Sequence, residues 1–209
     1  MDVFVVLDRD LFLLLNNWGT ATFDSFWLLL SNKLTNVVVY LLAWFYLLTK
    51  VKLKPALFLF ITTLILVLIT DQFTNLAKYS FARLRPCYDP ELLDLVRLVN
   101  ASCGGQYGFF SGHSSNSFAL ATFFSALYRN KSGYLALFFY LLAGFIAFSR
   151  VYVGVHFPLD ILVGAIVGEL PTGAVAGLGA RLLTGSYFGL TIQIWSALVM
   201  AAILAGTLI

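Results

Sequence analysis

The chain has 209 residues, of which 60% are hydrophobic and only 11% are charged, and its mean hydropathy is +0.90. Soluble domains carry roughly 25% charged residues, so this composition excludes a soluble globular protein. The formal net charge of +3 is small, and no nucleic-acid partner is expected. The fold class that remains is all-α, a polytopic transmembrane helical bundle.

The N-terminus, MDVFVVLDRD, lacks the basic region of a secretory signal, so no cleavage is expected. In the same stretch Phe4, Leu7, Leu11, Leu14 and Leu15 recur at helical spacing, with Asp8, Arg9 and Asp10 elsewhere. That pattern predicts an N-terminal amphipathic helix at the interface, with a short membrane helix as the alternative. Beyond it, a span needs about 20 apolar residues in a helix, because lipid offers the backbone no hydrogen bonds. About six spans meet that need, at 34–49, 56–76, 111–128, 134–150, 158–182 and 188–208. The first is short, and an earlier start near 23–30 is the alternative, with Asn32 and Lys33 facing protein or water. The links are too brief for a second core, which makes 1–209 one domain.

Lys50, Lys52, Lys54, Arg129, Lys131 and Arg181 then share one face, in loops without acidic residues. By the positive-inside rule that face is cytoplasmic. The long loop 78–110 falls on the other face and holds both cysteines, Cys87 and Cys103. An oxidising compartment allows a disulfide between them; two free thiols are the alternative.

On that same outer face lie the residues that carry chemistry. Lys78, Arg85 and Arg150 supply fixed cations of the kind a phosphate needs, and Pro86 keeps Arg85 in extended backbone. Ser111, Gly112 and His113 open a span, where free N–H groups make an anion site and glycine admits an oxyanion to the main chain. A plain helix cap is the simpler reading of Ser111. His156 is followed four residues later by Asp160, across a first helical turn that begins at Pro158. A carboxylate on one imidazole nitrogen fixes the tautomer and leaves the other as a nucleophile. Arg83 and Arg97 are read as anchors to lipid headgroups. Asp71 and Glu169 would each cost about 3 kcal/mol in lipid, so both are expected to face the bundle or water. Asp71 would steady the basic site or pair with a hydroxyl, and Glu169 would be structural.

The order K-x6-R-P (Lys78, Arg85, Pro86), S-G-H (Ser111, Gly112, His113) and S-R-x5-H-x3-D (Ser149, Arg150, His156, Asp160) resembles the signature of the type 2 phosphatidic acid phosphatase superfamily. That superfamily also includes vanadium haloperoxidases and glucose-6-phosphatase. The likeness covers about residues 71–164, and Phe110 stands where the family usually has proline. What the resemblance implies is a two-step phosphate transfer with no metal and no cofactor. His156 would be the nucleophile, Asp160 its orienting partner and His113 the acid and then the base. Lys78, Arg85, Ser111, Gly112 and Arg150 would hold the phosphoryl oxygens. A membrane member with an outward site implies a lipid phosphate as substrate and the bacterial inner membrane as location, with the site on the periplasmic face. Undecaprenyl diphosphate, phosphatidylglycerol phosphate, phosphatidic acid and lipid A are the candidates, the first being favoured because recycling a carrier lipid needs an outward phosphatase. A phosphotransferase that hands the group to an acceptor lipid is the second reading, and a lipid transporter or scaffold the third.

Overall fold

The computed structural model describes residues 3–49, 52–99, 102–128 and 133–184. They form helices α1 (Val3–Asn17), α2 (Ala21–Ser31), α3 (Lys33–Leu48), α4 (Leu53–Phe81), α5 (Gly112–Tyr128), α6 (Gly133–Tyr152) and α7 (Pro158–Thr184), with one 3-10 turn at Pro86–Tyr88. The expected span 188–208, and Lys50, Arg129 and Lys131, lie outside the described residues.

Among the described residues two helices, α4 and α6, are long and apolar enough to cross a membrane, and α2 with α3 makes a further candidate that is bent by 60°. The chain is an integral membrane protein. The bend replaces the expected straight first span. Asn32 leaves helical geometry, and its Oδ1 accepts the N–H groups of Leu34 at 2.8 Å and Thr35 at 3.3 Å, capping α3 afresh. At its far end α4 outruns the expected 56–76 and stops where Ala82 takes a left-handed φ of 47°. The connecting loop therefore begins at Ala82, four residues later than 78.

Packing is arranged for a lipid surround. Leu57, Ile61, Leu64 and Leu68 of α4 are exposed, while Leu66, Phe124, Phe139 and Ile146 meet in the core. The closest approach joins α5 to α7. A Cβ on Gly164 would lie 2.7 Å from the Ser111 carbonyl oxygen, and one on Gly168 would lie 2.1 Å from that of Ser115. Only glycine lets the two backbones touch in this way, the small-residue contact common among membrane helices. The contact lies at the first turn of α5 and one to three turns into α7, and next to it the Ser111 and Asp160 segments meet: the Ser111 N–H donates to the Asp160 carbonyl at 3.0 Å.

Helix α1 is oriented opposite to a soluble amphipathic helix. Phe4, Leu7, Leu11 and Leu14 point outward, whereas Asp8, Phe12 and Asn16, spaced by four, are buried against the bundle. Asn16 Nδ2 donates to the carbonyls of Arg97 (3.1 Å), Val151 (3.1 Å) and Tyr152 (2.9 Å), and its Oδ1 accepts the Arg97 N–H at 2.8 Å. Arg9 pairs with Asp89 at 2.7 Å and with Glu91. Removing the Asn16 amide would strand a buried donor and buried acceptors, so Asn16→Ala is expected to destabilise the protein by about 1–3 kcal/mol. Denaturant unfolding in detergent measures this, and an unchanged midpoint would mean that these bonds do not hold α1.

Candidate active site

Four helix ends converge here: the C-terminal ends of α4 and α6 and the N-terminal ends of α5 and α7. Lys78 is on the last turn of α4, Arg150 near the end of α6, Gly112 and His113 on the first turn of α5, and Asp160 on the first turn of α7. Between α4 and α5 the loop pairs with itself. Leu84 bridges Tyr107, the Arg85 N–H donates to the Gln106 carbonyl at 3.1 Å, and the Gly108 N–H donates to the Arg83 carbonyl at 2.8 Å. Arg85 has φ −74° and ψ 158°, the extended geometry that a following proline enforces. Its Nη1 donates to the Cys103 carbonyl at 3.0 Å and its Nε to that of Tyr107 at 3.2 Å. Cys87 and Cys103 are joined in a disulfide, with Cα atoms 6.2 Å apart.

His156 occupies the turn between α6 and α7 and is 1% exposed; Asp160 is 0% exposed. Their Nδ1 and Oδ2 atoms are 3.2 Å apart, and the Phe157 N–H donates to the same Oδ2 at 3.0 Å. Gly108 passes so close that a Cβ there would lie 2.9 Å from Asp160 Oδ2 and 3.6 Å from His156 Nδ1. With Nδ1 engaged, Nε2 is the free nitrogen of the His156 ring.

A cavity of about 700 Å3 meets this turn. Lys78, Arg85, Gly112, His113, Arg150 and His156 all line it. Arg150 is steadied by Ser31 at the α2 terminus, where its Nη1 donates to the Ser31 hydroxyl and, at 3.3 Å, to the Ser31 carbonyl. His113 Nε2 and Arg150 Nε are buried without a hydrogen-bond partner among the described residues. Ser111 stands apart. Fully buried, it accepts the Ser114 N–H at 3.4 Å through its Oγ, as a helix cap does.

Several polar residues sit differently from the expectation. Arg83 is no headgroup anchor: its Nη1 donates to Asp160 Oδ1 at 2.8 Å. Nor is Arg97, which pairs with both oxygens of Asp24 at 2.7 Å and lies over the Tyr152 ring. Burial in a chain this apolar forces each guanidinium onto a carboxylate. Asp71 lines the cavity and accepts Asn116 Nδ2 at 3.4 Å. Lys33 lines it too, adding a cation at the start of α3. Glu169 is half-buried in α7.

Residues 56–182 match the PAP2 superfamily. The chain belongs to that superfamily. It is 38% identical over 169 residues to the lipid A 4'-phosphatase of Porphyromonas gingivalis, covering 80% of this chain and 71% of that protein. With the lipid A 4'-phosphatase of Bacteroides thetaiotaomicron it shares 34% identity over 165 residues, 78% of this chain and 72% of the relative. Among solved structures, Aquifex aeolicus LpxE superposes with a TM-score of 0.63 at 24% identity, covering 84% of this chain and 95% of that one. This PAP2 member is an integral membrane phosphatase.

Burial, and then the positive charges of Arg85, Arg150, Lys78 and Arg83, push the His156 imidazole well below its usual 6.5. A lowered value means that the neutral, nucleophilic ring persists as pH falls past 6.5. The chain has only 2 histidines, so the 15N shifts of a histidine-labelled sample separate them. At about pH 5.5, one unit below the ordinary imidazole value, the His156 resonances are expected to be those of the neutral ring; imidazolium shifts there would contradict this electrostatic picture.

Proposed function

We propose that this protein is a lipid A phosphatase acting on the 4'-phosphate. It would work at the periplasmic face of a bacterial inner membrane, as a single domain of about six spans. The observation that carries the lipid reading is the shape of the cavity. Its polar end holds the two histidines with Lys33, Lys78, Arg85 and Arg150, and it continues along an apolar wall of Leu41, Trp44, Phe60 and Leu64 between α3 and α4. A phosphate on an acylated body fits such a space, with the charge at the helix ends and the tail in the crevice. The two relatives at 38% and 34% identity support lipid A over undecaprenyl diphosphate. Lys52 and Lys54, at the end of α4 opposite Lys78, support the outward orientation.

In the mechanism, His156 Nε2 attacks phosphorus in line with the leaving oxygen. The N–P bond forms as the P–O bond to the lipid breaks, and His113 gives its proton to that oxygen. Charge on the equatorial oxygens is met by Lys78, Arg85 and Arg150, with the Gly112 N–H at the α5 terminus. Asp160 holds the other face of the His156 ring and offsets the positive charge that the ring acquires. In the second step His113 takes a proton from water, whose oxygen attacks phosphorus and releases phosphate and His156. Ser111 caps α5 through its Oγ at the same helix terminus as the Gly112 N–H.

Purified protein in detergent, given lipid A, undecaprenyl diphosphate, phosphatidylglycerol phosphate and phosphatidic acid in EDTA, tests the reading. Phosphate release from lipid A is expected, with mass spectrometry placing the loss at the 4' position. His156→Ala is expected to lower kcat by more than about 1,000-fold. Release confined to undecaprenyl diphosphate would reassign the substrate, and label recovered on a second lipid with little free phosphate would make the protein a phosphotransferase.

A further inference from the structure

Asp160 has two oxygens, and His156 with the Phe157 N–H accounts for only one. The other, Oδ1, receives Arg83 Nη1 at 2.8 Å. Arg83 is held in turn by α1: its Nη2 donates to Asp8 Oδ2 at 2.6 Å, and its guanidinium lies over the Phe157 ring, 4.4 Å from the centroid. The second Asp8 oxygen accepts the Leu159 N–H at 2.8 Å, one of the free donors in the first turn of α7. Phe12, one turn further along α1, meets Phe157 edge-on at 5.4 Å.

From this Asp8–Arg83–Asp160 chain we infer that Asp8 and Arg83 are positioning residues for the catalytic carboxylate, and that α1 is thereby part of the catalytic apparatus. The inference rests on the assignment of His156 and Asp160 above. The carboxylate can rotate only by breaking a charge-assisted bond on one side or the other, and its angle sets the aim of His156 Nε2. Asp8 fixes both variables at once. It orients the guanidinium that grips Oδ1, and it anchors the helical turn from which Asp160 projects. Arg83 carries one positive charge between two buried carboxylates, so its loss would leave both facing each other uncompensated. Neither residue touches the cavity, and both act on phosphorus only through Asp160 and His156.

Asp8→Asn keeps the shape of the side chain and an oxygen for the Leu159 N–H while removing the charge opposite Arg83. With lipid A in detergent micelles as probe and phosphatidic acid as a second, kcat is expected to fall about tenfold for Asp8→Asn and about 100-fold for Arg83→Ala. KM should stay within about twofold in each, since the phosphate cations are untouched. Arg83→Lys, which keeps the charge and loses the fork, should recover part of the Arg83→Ala loss. Adding Asp8→Asn to Arg83→Ala should cost nothing further, because Asp8→Asn keeps the oxygen for the Leu159 N–H and removes only the charge that pairs with Arg83. Unchanged kcat in both single variants would overturn the inference, as would losses that multiply in the double variant. So would a fall in activity that only tracks the folded fraction, read from unfolding midpoints, with Arg83→Lys no better than Arg83→Ala. His156→Ala, run alongside, separates the failures. If it stays active, the assignment of the nucleophile is wrong; if it is dead while Asp8→Asn and Arg83→Ala match the unaltered protein, only the positioning role is lost.

Discussion

A carboxylate with no exposure at the head of an apolar helix is the constraint around which this site is built. Burying Asp160 in its charged form is tolerable only if every lone pair finds a donor. The partners come from two places in the chain: the turn before α7 gives the Phe157 N–H and His156, and the loop after α4 gives Arg83. Gly108 runs past at a distance no side chain would allow. The glycine contact between α5 and α7 then sets how far Asp160 stands from Gly112 and His113. If the carboxylate moves, the ring of His156 moves, and with it the direction of its Nε2 nitrogen.

Placement of charge in the rest of the molecule follows from the cost of ions near lipid. The half-buried guanidinium groups of Arg83 and Arg97, away from the cavity, each meet a carboxylate: Arg83 with Asp8 and Asp160, Arg97 with Asp24. Lys78, Arg85 and Arg150 differ. None of the three has an acidic hydrogen-bond partner among the described residues, and all three line the same cavity. Cations without a carboxylate hydrogen-bond partner, lining one cavity with His156, suit an anion that arrives from outside. The apolar walls of the crevice between α3 and α4 carry the complementary half of that demand, a place for a hydrocarbon tail.

Much of this was legible in the sequence, because membrane helices advertise themselves locally. Runs of apolar residues located the helices α4 to α7 to within a few residues, and among the described residues α4 and α6 are long and apolar enough to cross a membrane. The residues of the three motifs could be grouped because each sits at a helix end, and the parity of the spans returns those ends to one face. Long-range pairing was not legible. Arg83 and Arg97 looked like headgroup anchors because their partners, Asp8 and Asp24, lie 75 and 73 residues away. One signal could have been found: Asp8, Phe12 and Asn16 recur at fours along α1, a stripe that reads as a packed polar seam once the surround is lipid. The break at Asn32 was half visible, as an expected span too short to cross. At Ser111 the simpler of the two expected readings is the one with a visible bond, since its Oγ accepts the Ser114 N–H as a helix cap does.

The proposed mechanism turns on His156 as the nucleophile. Turnover of lipid A labelled with 32P, quenched in base to preserve a phosphoramidate bond and followed by peptide mapping, asks this directly. Label on the peptide containing His156, formed in the unaltered protein and missing from His156→Ala, is the predicted result. No covalent label during turnover, or label that persists in His156→Ala, would contradict the account and turn His156 into a bystander of some other chemistry at the same helix ends.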